Sequence, residues 1–279
     1  MKFAINDGTL RSIDNYDRRL SILNKSSISG MGVWVSEIFS NFSNFQDGLS
    51  ELEILLDKHE IEVVEINFIK TLFQKKWNDG PLEEAKQICD TAAALNCPLI
   101  TVATFCDSMD YEIGPQSLRQ LADFAHDYGL KVAVEFLPWT GVPNLHSAAR
   151  LLEDCGRDNV GILLDTFHFF ESGGRPDDLS KVGVEKIFHV HVNDYPDASL
   201  DSDSAETLSL IEKTRNYRCM PGMGGYDLRG FLNQLKMIGY DGWISLEVLN
   251  PAISESDLLF GLPRTSDWLI DTWTTSDAK

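Results

Sequence analysis

Short apolar stretches alternate with segments of helical periodicity along the whole chain. Candidate strands of β-branched and apolar residues lie at 2–6, 32–37, 61–67, 98–104, 131–136, 160–165, 186–193 and 243–248. Regular alternation of strands and helices is typical of parallel βαβ units, and eight such units close into a barrel. We therefore predict an α/β fold, a single (β/α)8 TIM barrel over residues 1–279.

The connecting segments carry helix signals of the same repeat. Apolar residues recur at helical spacing over 118–125 and over 228–235, and Gly129 and Gly239 suit the ends of these two helices. Each helix leads directly into a candidate strand. The segment 197–217 departs from this rhythm, because it is long and acidic at its start and follows the seventh strand. A lid over an active site and a solvated insertion are both consistent with it.

The last four candidate strands each place a metal-binding type of side chain near the carboxyl end. Side chains alternate along a strand, so the apolar face should meet the helices and the other face should point into the barrel. That inward face carries Glu135, Asp165, His191 and Glu247. We expect these four side chains to converge at the mouth of the barrel.

Three carboxylates in so narrow a space require a positive partner. Burying them unpaired would cost several kcal/mol each or force them to take up protons. A divalent cation removes both problems, and three oxygen donors with one imidazole suit Mn²⁺ first, with Mg²⁺, Co²⁺ and Zn²⁺ as alternatives. The competing interpretation is that these residues fill the barrel or pair with Lys or Arg. Four coincidences at strand ends favour the metal.

Composition and charge narrow the class of partner. The net charge of −19 and the pI near 4.6 oppose contact with nucleic acid, so a small-molecule substrate is expected. Five cysteines without CxxC spacing indicate reduced thiols. We expect a cytoplasmic protein without a membrane segment, since no secretory leader pattern and no run of about 18 apolar residues is present. Self-association into a homo-oligomer is left open.

Several motifs in the second half of the chain are those of a known family. They are VEFLPW at 134–139, NVGILLDTFHF at 159–169, HVND at 191–194, RCMPGMG at 218–224 and GYDGWISLEV at 239–248. Over about residues 98–250 the sequence resembles the sugar-phosphate isomerase/epimerase family with the xylose-isomerase-like barrel. Inosose isomerases resemble it most closely within that family, which also includes ketohexose epimerases and hydroxypyruvate isomerases.

The resemblance implies roles for particular residues. It implies four metal ligands: Glu135, Asp165, His191 and Glu247. Glu135 and Glu247 would also be the acid/base pair, and His168 and Arg218 would contact substrate oxygens. The implied reaction is isomerisation or epimerisation of a keto-sugar or inosose through a metal-held ene-diolate.

Other functions stay open at this level. The same enolate can expel a β-hydroxyl, which would make the protein a dehydratase, and a non-catalytic metal-stabilised subunit is a further alternative. An abasic-site nuclease on the related barrel is disfavoured by the charge and by the small number of histidines. Met223 and Gly141 depart from the family pattern and put the substrate in doubt more than the metal.

Polar residues near other strand ends are harder to place. Glu37, Glu65 and Asn67 end early candidate strands, and the sequence does not decide whether they reach the pocket. His189 points inward one layer below His191. We expect it to support the site by hydrogen bonding rather than to act as a fifth ligand.

Overall fold

Eight parallel strands close into a barrel, which confirms the predicted fold. The computed structural model describes residues 2–26, 28–42, 44–110, 112–196 and 208–275. The strands are β1 (Lys2–Asn6), β2 (Gly30–Trp34), β3 (Glu62–Ile69), β4 (Leu99–Ala103), β5 (Lys131–Glu135), β6 (Val160–Asp165), β7 (Ile187–Val192) and β8 (Trp243–Leu246). They are hydrogen-bonded in sequence order, and β8 closes on β1.

Helices on the outside connect successive strands. They are α1 (Tyr16–Leu23), α2 (Val35–Asn41), α3 (Phe45–His59), α4 (Pro81–Ala94), α5 (Gly114–Asp127), α6 (Leu145–Cys155), α7 (Thr166–Glu171), α8 (Leu210–Asn216), α9 (Leu228–Met237) and α10 (Glu255–Thr275). Gly129 and Gly239 follow α5 and α9 with φ of 73° and 86°, the left-handed conformation that ends a helix. Within the described ranges, none of these helices is long and apolar enough to cross a membrane.

The predicted bounds of the second strand, 32–37, are wrong, because β2 begins and ends earlier in the chain. The strand ends at Trp34, and Val35 begins α2. Val35 and Ile38 are both buried, and their spacing of three fits a helix as well as the short alternation fits a strand. Glu37 therefore lies in a helix, where its carboxylate is 2.9 Å from Arg19 Nη2. The predicted strands at 2–6 and 160–165 coincide with β1 and β6, and the other five differ from the observed strands by one or two residues at their ends.

The lower interior of the barrel is apolar. Its buried residues are Leu99, Ala133 and Leu163. Phe188 packs against this cluster, although its alternation with Val190 predicts that it faces the helices. The pairing of β6 with β7 shifts register here, which turns Phe188 inward. Gly161 leaves space for the ring, because a Cβ atom at that position would overlap it.

The acidic segment 197–217 is described only from residue 208. The prediction that it forms a lid or a solvated insertion falls mostly on residues 197–207, which lie outside the described residues. Its final part forms α8, whose Thr214 is buried and accepts a hydrogen bond of 2.5 Å from Arg218 Nη2. This helix therefore lies beside the mouth of the barrel.

Candidate metal centre and substrate pocket

The structure brings the four predicted residues together. Glu135 and Asp165 end β5 and β6, His191 lies in β7, and Glu247 directly follows β8. One nitrogen or oxygen atom from each lies within 4.8 Å of those of the others. Asp165, His191 and Glu247 are buried, and Glu135 is partly exposed to the pocket above. The carboxyl ends of neighbouring parallel strands thus create the cluster that the sequence predicts.

His191 shows which ring nitrogen is free to bind an ion. Its Nε2 atom lies 2.8 Å from both carboxylate oxygens of Glu65. Its Nδ1 atom is buried, has no hydrogen-bond partner among the described residues and faces Glu247 Oε2 at 3.3 Å. Histidine ligands of metals usually have this arrangement, with one nitrogen held by a carboxylate and the other directed at the ion. The donor set therefore fits a divalent cation.

Arg218 supplies part of the positive charge at the cluster. Its Nη1 atom lies 2.9 Å from Asp165 Oδ2 and 3.0 Å from Glu247 Oε2. Burial alone would raise the pKa of Asp165, but Arg218, His168 and His191 together outweigh burial and lower it. Burial, with repulsion from Glu247 and Asp165, raises the pKa of Glu135 well above its usual value. One guanidinium does not neutralise three carboxylates, and a divalent cation would supply the missing charge.

His168 adjoins the same cluster from α7. Its backbone N–H donates to Asp165 Oδ1 at 3.1 Å, so the aspartate caps the helix that carries the histidine. Its Nε2 atom lies 3.4 Å from Arg218 Nη2 and 3.7 Å from Glu135 Oε1. Burial lowers the pKa of His168 to about 4, so its ring is neutral near pH 7. Both residues implied as substrate contacts, His168 and Arg218, lie at the cluster.

Glu65 is one of the residues whose position the sequence did not decide. The structure places its side chain behind the cluster. It is fully buried, accepts a hydrogen bond of 3.0 Å from Asn6 Nδ2 and lies 3.4 Å from His189 Nε2. Gly32 on β2 is its register partner, and a Cβ atom there would overlap Glu65 Oε1. A glycine opposite an inward glutamate is a signal that the sequence contained.

A pocket with a volume of about 660 Å³ opens above the cluster, in the usual range for small-molecule sites. Glu135, Glu247, His168 and Arg218 line its base. Its walls are partly aromatic, formed by Trp34, Phe68, Phe105 and Trp139. The ring of Phe68 meets that of Trp34 edge to face at 5.4 Å between centroids. Apolar ring faces beside polar groups suit a substrate with C–H faces and hydroxyl edges.

The chain belongs to the xylose isomerase-like TIM barrel family, whose model matches residues 29–271. An inosose isomerase of Halalkalibacterium halodurans is 29% identical over 262 residues, which are 90% of this chain and 89% of the relative. A 3-dehydroshikimate dehydratase of Pseudomonas aeruginosa is 34% identical over 173 residues, 61% of this chain but only 26% of that longer relative.

Solved structures of low sequence identity share the fold. A crystal structure of the IOLI protein with a bound zinc atom has a TM-score of 0.82 at 22% identity and covers 98% of this chain and 99% of its own. A D-psicose 3-epimerase of Clostridium cellulolyticum has a TM-score of 0.75 at 15% identity, with 98% and 99% covered. At sequence identities this low, the structural similarity shows a shared fold alone.

Proposed function

We propose that the protein is a divalent-metal-dependent isomerase or epimerase of a keto-sugar or inosose, with Mn²⁺ as the first choice of ion. The observation that carries this proposal is the cluster of Glu135, Asp165, His191 and Glu247 around the bare Nδ1 atom of His191. The inosose isomerase relative, which is matched over most of both chains, supports the type of reaction and substrate.

The two glutamates are the proposed acid/base pair. A bound divalent cation would supply a Lewis acid beside the substrate ketone, which makes the neighbouring carbon more acidic. Arg218 holds Oε2 of Glu247, while the Glu135 side chain accepts no hydrogen bond from the described residues. Glu135, which also faces the pocket, would take the proton from the carbon beside the ketone on one face of the substrate, and Glu247 would return a proton to the resulting ene-diolate from the other face.

His168 and Arg218 would hold substrate oxygens. The Nδ1 atom of His168 has no hydrogen-bond partner within the described part of the chain. Because burial keeps the imidazole neutral, this atom can donate or accept a hydrogen bond without changing the charge of the site. The guanidinium of Arg218 is fixed by Thr214, Asp165 and Glu247 before any substrate binds. Fixed donors of this kind stabilise negative charge as it develops on an oxygen.

Deuterium exchange tests this function. Metal-loaded protein is incubated in D₂O with a panel of keto-sugars and inososes, both neutral and carboxylated, and the products are analysed by mass spectrometry and proton NMR. We expect deuterium at the carbon beside the ketone, a mass gain of one unit and no loss of water. The Asp165→Asn variant, which weakens the cluster, should lose the exchange. Absence of exchange on every ketone, at full metal content, would contradict the proposal.

A dehydratase is the second candidate, and the 34% identical 3-dehydroshikimate dehydratase favours it. The same ene-diolate or enolate can expel a β-hydroxyl instead of being reprotonated. The deuterium experiment separates the two, because elimination lowers the substrate mass by one water. A metal-stabilised subunit without turnover would instead show stability that a chelator removes and no exchange at all.

A further inference from the structure

The wall of the pocket between β2 and β3 carries hydrogen-bond donors that the protein does not use. Trp34 and Asn67 are register partners at the ends of these strands, and both line the pocket. The Nε1 atom of Trp34 and the Nδ2 atom of Asn67 are buried without a hydrogen-bond partner in the described residues. Asn67 is 5% exposed, and its Oδ1 atom already accepts from Thr101 Oγ1 at 3.1 Å. The unused hydrogen-bonding groups of both side chains are therefore N–H donors.

The same wall carries a positive charge without a carboxylate partner. Lys70 lines the pocket with Nζ at 4.7 Å from the ring centroid of Phe68, and no carboxylate of the described residues lies within 4.0 Å of it. Arg11 lies beside it over the ring of Trp34, but Glu37 Oε1 at 3.3 Å balances its charge. The protein has a net charge of −19, so a lysine without a carboxylate partner at this edge contrasts with the acidic character of the chain.

The pocket as a whole separates two kinds of polar group. Among its described lining residues, the only carboxylates are Glu135 and Glu247, which belong to the cluster at the base. Arg215 on the opposite rim adds a further cation with no carboxylate of the described residues within 4.0 Å. A hydroxyl both donates and accepts hydrogen bonds, whereas a carboxylate only accepts. A wall that offers N–H groups and an ammonium group therefore matches a carboxylate best.

We propose that Trp34, Asn67 and Lys70 form a subsite for a carboxylate group of the substrate. This inference rests on the proposed function, because it assumes that the ketone or hydroxyl end of the same molecule lies at the metal cluster. The substrate is then a keto-sugar or inosose derivative that carries a carboxylate, cyclic or open-chain. A phosphate group carries nearly two charges and usually takes several cationic partners, so the single unpaired lysine of this wall favours a carboxylate.

A matched pair of inert ligands tests the subsite. Shikimate, a carboxylated ring with hydroxyls and no ketone, and its methyl ester differ at the carboxyl group alone. Binding of each to metal-loaded protein is measured by isothermal titration calorimetry. We expect the acid to bind about tenfold more tightly than the ester, since hydrogen bonds to charged groups are the stronger ones. The preference should shrink in high salt.

Two lysine variants separate a local contact from general charge. Lys70→Met should remove most of the preference for the acid and leave the ester unchanged. Lys86→Met, on the exposed face of α4 and outside the pocket, removes the same charge and should leave both ligands unchanged. Trp34→Phe keeps an aromatic ring at this position but removes the indole N–H. This variant should weaken binding of the acid several-fold.

Equal binding of acid and ester, or equal losses in the Lys70→Met and Lys86→Met variants, would overturn the subsite. The deuterium exchange on the panel of neutral and carboxylated ketones decides the proposed function independently. Exchange without a carboxylate preference would support the proposed function and contradict the subsite. A carboxylate preference that depends on Lys70, without any exchange, would support the subsite and contradict the proposed function.

Discussion

The Nε2 atom of His191 lies 2.8 Å from each carboxylate oxygen of Glu65, and both side chains are fully buried. Burial alone would raise the pKa of Glu65 and lower that of His191. Their mutual attraction, with that of His189 for Glu65 and of Glu247 for His191, outweighs burial, so the pKa of Glu65 is well below its usual value and that of His191 is well above it. The pair fixes the ring and leaves Nδ1 directed at the three carboxylates of the cluster.

Replacing Glu65 by Gln should lower the affinity for a divalent cation by about 10- to 100-fold, the usual effect of removing the partner of a ligating histidine. The amide keeps the shape and can still accept one hydrogen bond, but it loses the charge that orients the ring. Competition with a fluorescent chelator measures the affinity.

The matched control is Glu62→Gln on the same strand. Glu62 is exposed, and its only ion pair among the described residues is with Lys2 at 4.0 Å. This variant should bind the cation like the wild type. If Glu65→Gln also binds like the wild type, the proposed support of His191 by Glu65 is wrong.

Gly32→Ala should destabilise the protein by about 1–3 kcal/mol, the usual cost of forcing an extra group into a packed interior. The new methyl group would overlap Glu65, so the carboxylate must move away from His191. Denaturant unfolding measures the loss in stability, and cation affinity should fall with it.

Gly261→Ala is the control of opposite sign. Gly261 lies inside α10 with no atom within 4 Å of an added Cβ, so alanine should stabilise the helix by up to about 1 kcal/mol. Equal stability of the two variants would contradict the close approach of β2 to Glu65.

Adding a divalent cation should raise the melting temperature, because the ion relieves repulsion among the carboxylates in the folded state. At a free concentration about 100 times Kd, binding adds about 2.7 kcal/mol, which corresponds to roughly 5–10 °C for a protein of this size. Differential scanning fluorimetry with Mn²⁺, Mg²⁺, Co²⁺ and Zn²⁺ measures the shift and ranks the ions.

Asp165→Asn should lose most of this shift, whereas Asp123→Asn on the surface of α5 should keep it. An undiminished shift in Asp165→Asn would place the ion elsewhere.

Glu247→Gln should slow proton exchange by at least about 100-fold, the usual contribution of a positioned general base or acid. The amide offers the ion only a neutral oxygen, so exchange is measured at saturating cation and the metal content is determined in the same sample. Glu255→Gln, at the partly exposed start of α10 and outside the pocket, serves as the control. Full exchange in Glu247→Gln at normal metal content would eliminate its role in acid/base chemistry.

Cation affinity should fall as the pH is lowered. The raised pKa of Glu135 means that the metal-free protein retains a proton there at pH values where an ordinary glutamate is ionised. Binding of the ion must displace this proton, so below the raised pKa the affinity drops by up to about tenfold per pH unit, and above it Glu135 contributes no pH dependence.

Calorimetric titrations in buffers of different ionisation enthalpy would count the released protons. We expect close to two protons per ion at acid pH, one from Glu135 and one from the imidazole of His191, and fewer as the pH rises. An affinity that does not change over about pH 5 to 8 would show that neither group gives up a proton when the ion binds.

The sequence by itself determined the strand order and the inward positions of Glu135, Asp165, His191 and Glu247. Alternation along a strand and the meeting of parallel strand ends are local and topological rules, so they need no knowledge of packing. Where these rules were ambiguous they failed. Val35 fits a helix as well as a strand, and the register shift at β7 turned Phe188 inward.

Tertiary structure alone decided which distant residues touch. Glu65 reaches His191 across 126 positions of sequence, and the space for it depends on the missing side chain of Gly32. Likewise, Trp34 and Lys70 meet at one wall only because β2 and β3 are neighbours in the barrel. Contacts of this kind depend on register and volume, which a pattern of hydrophobic and polar residues does not encode.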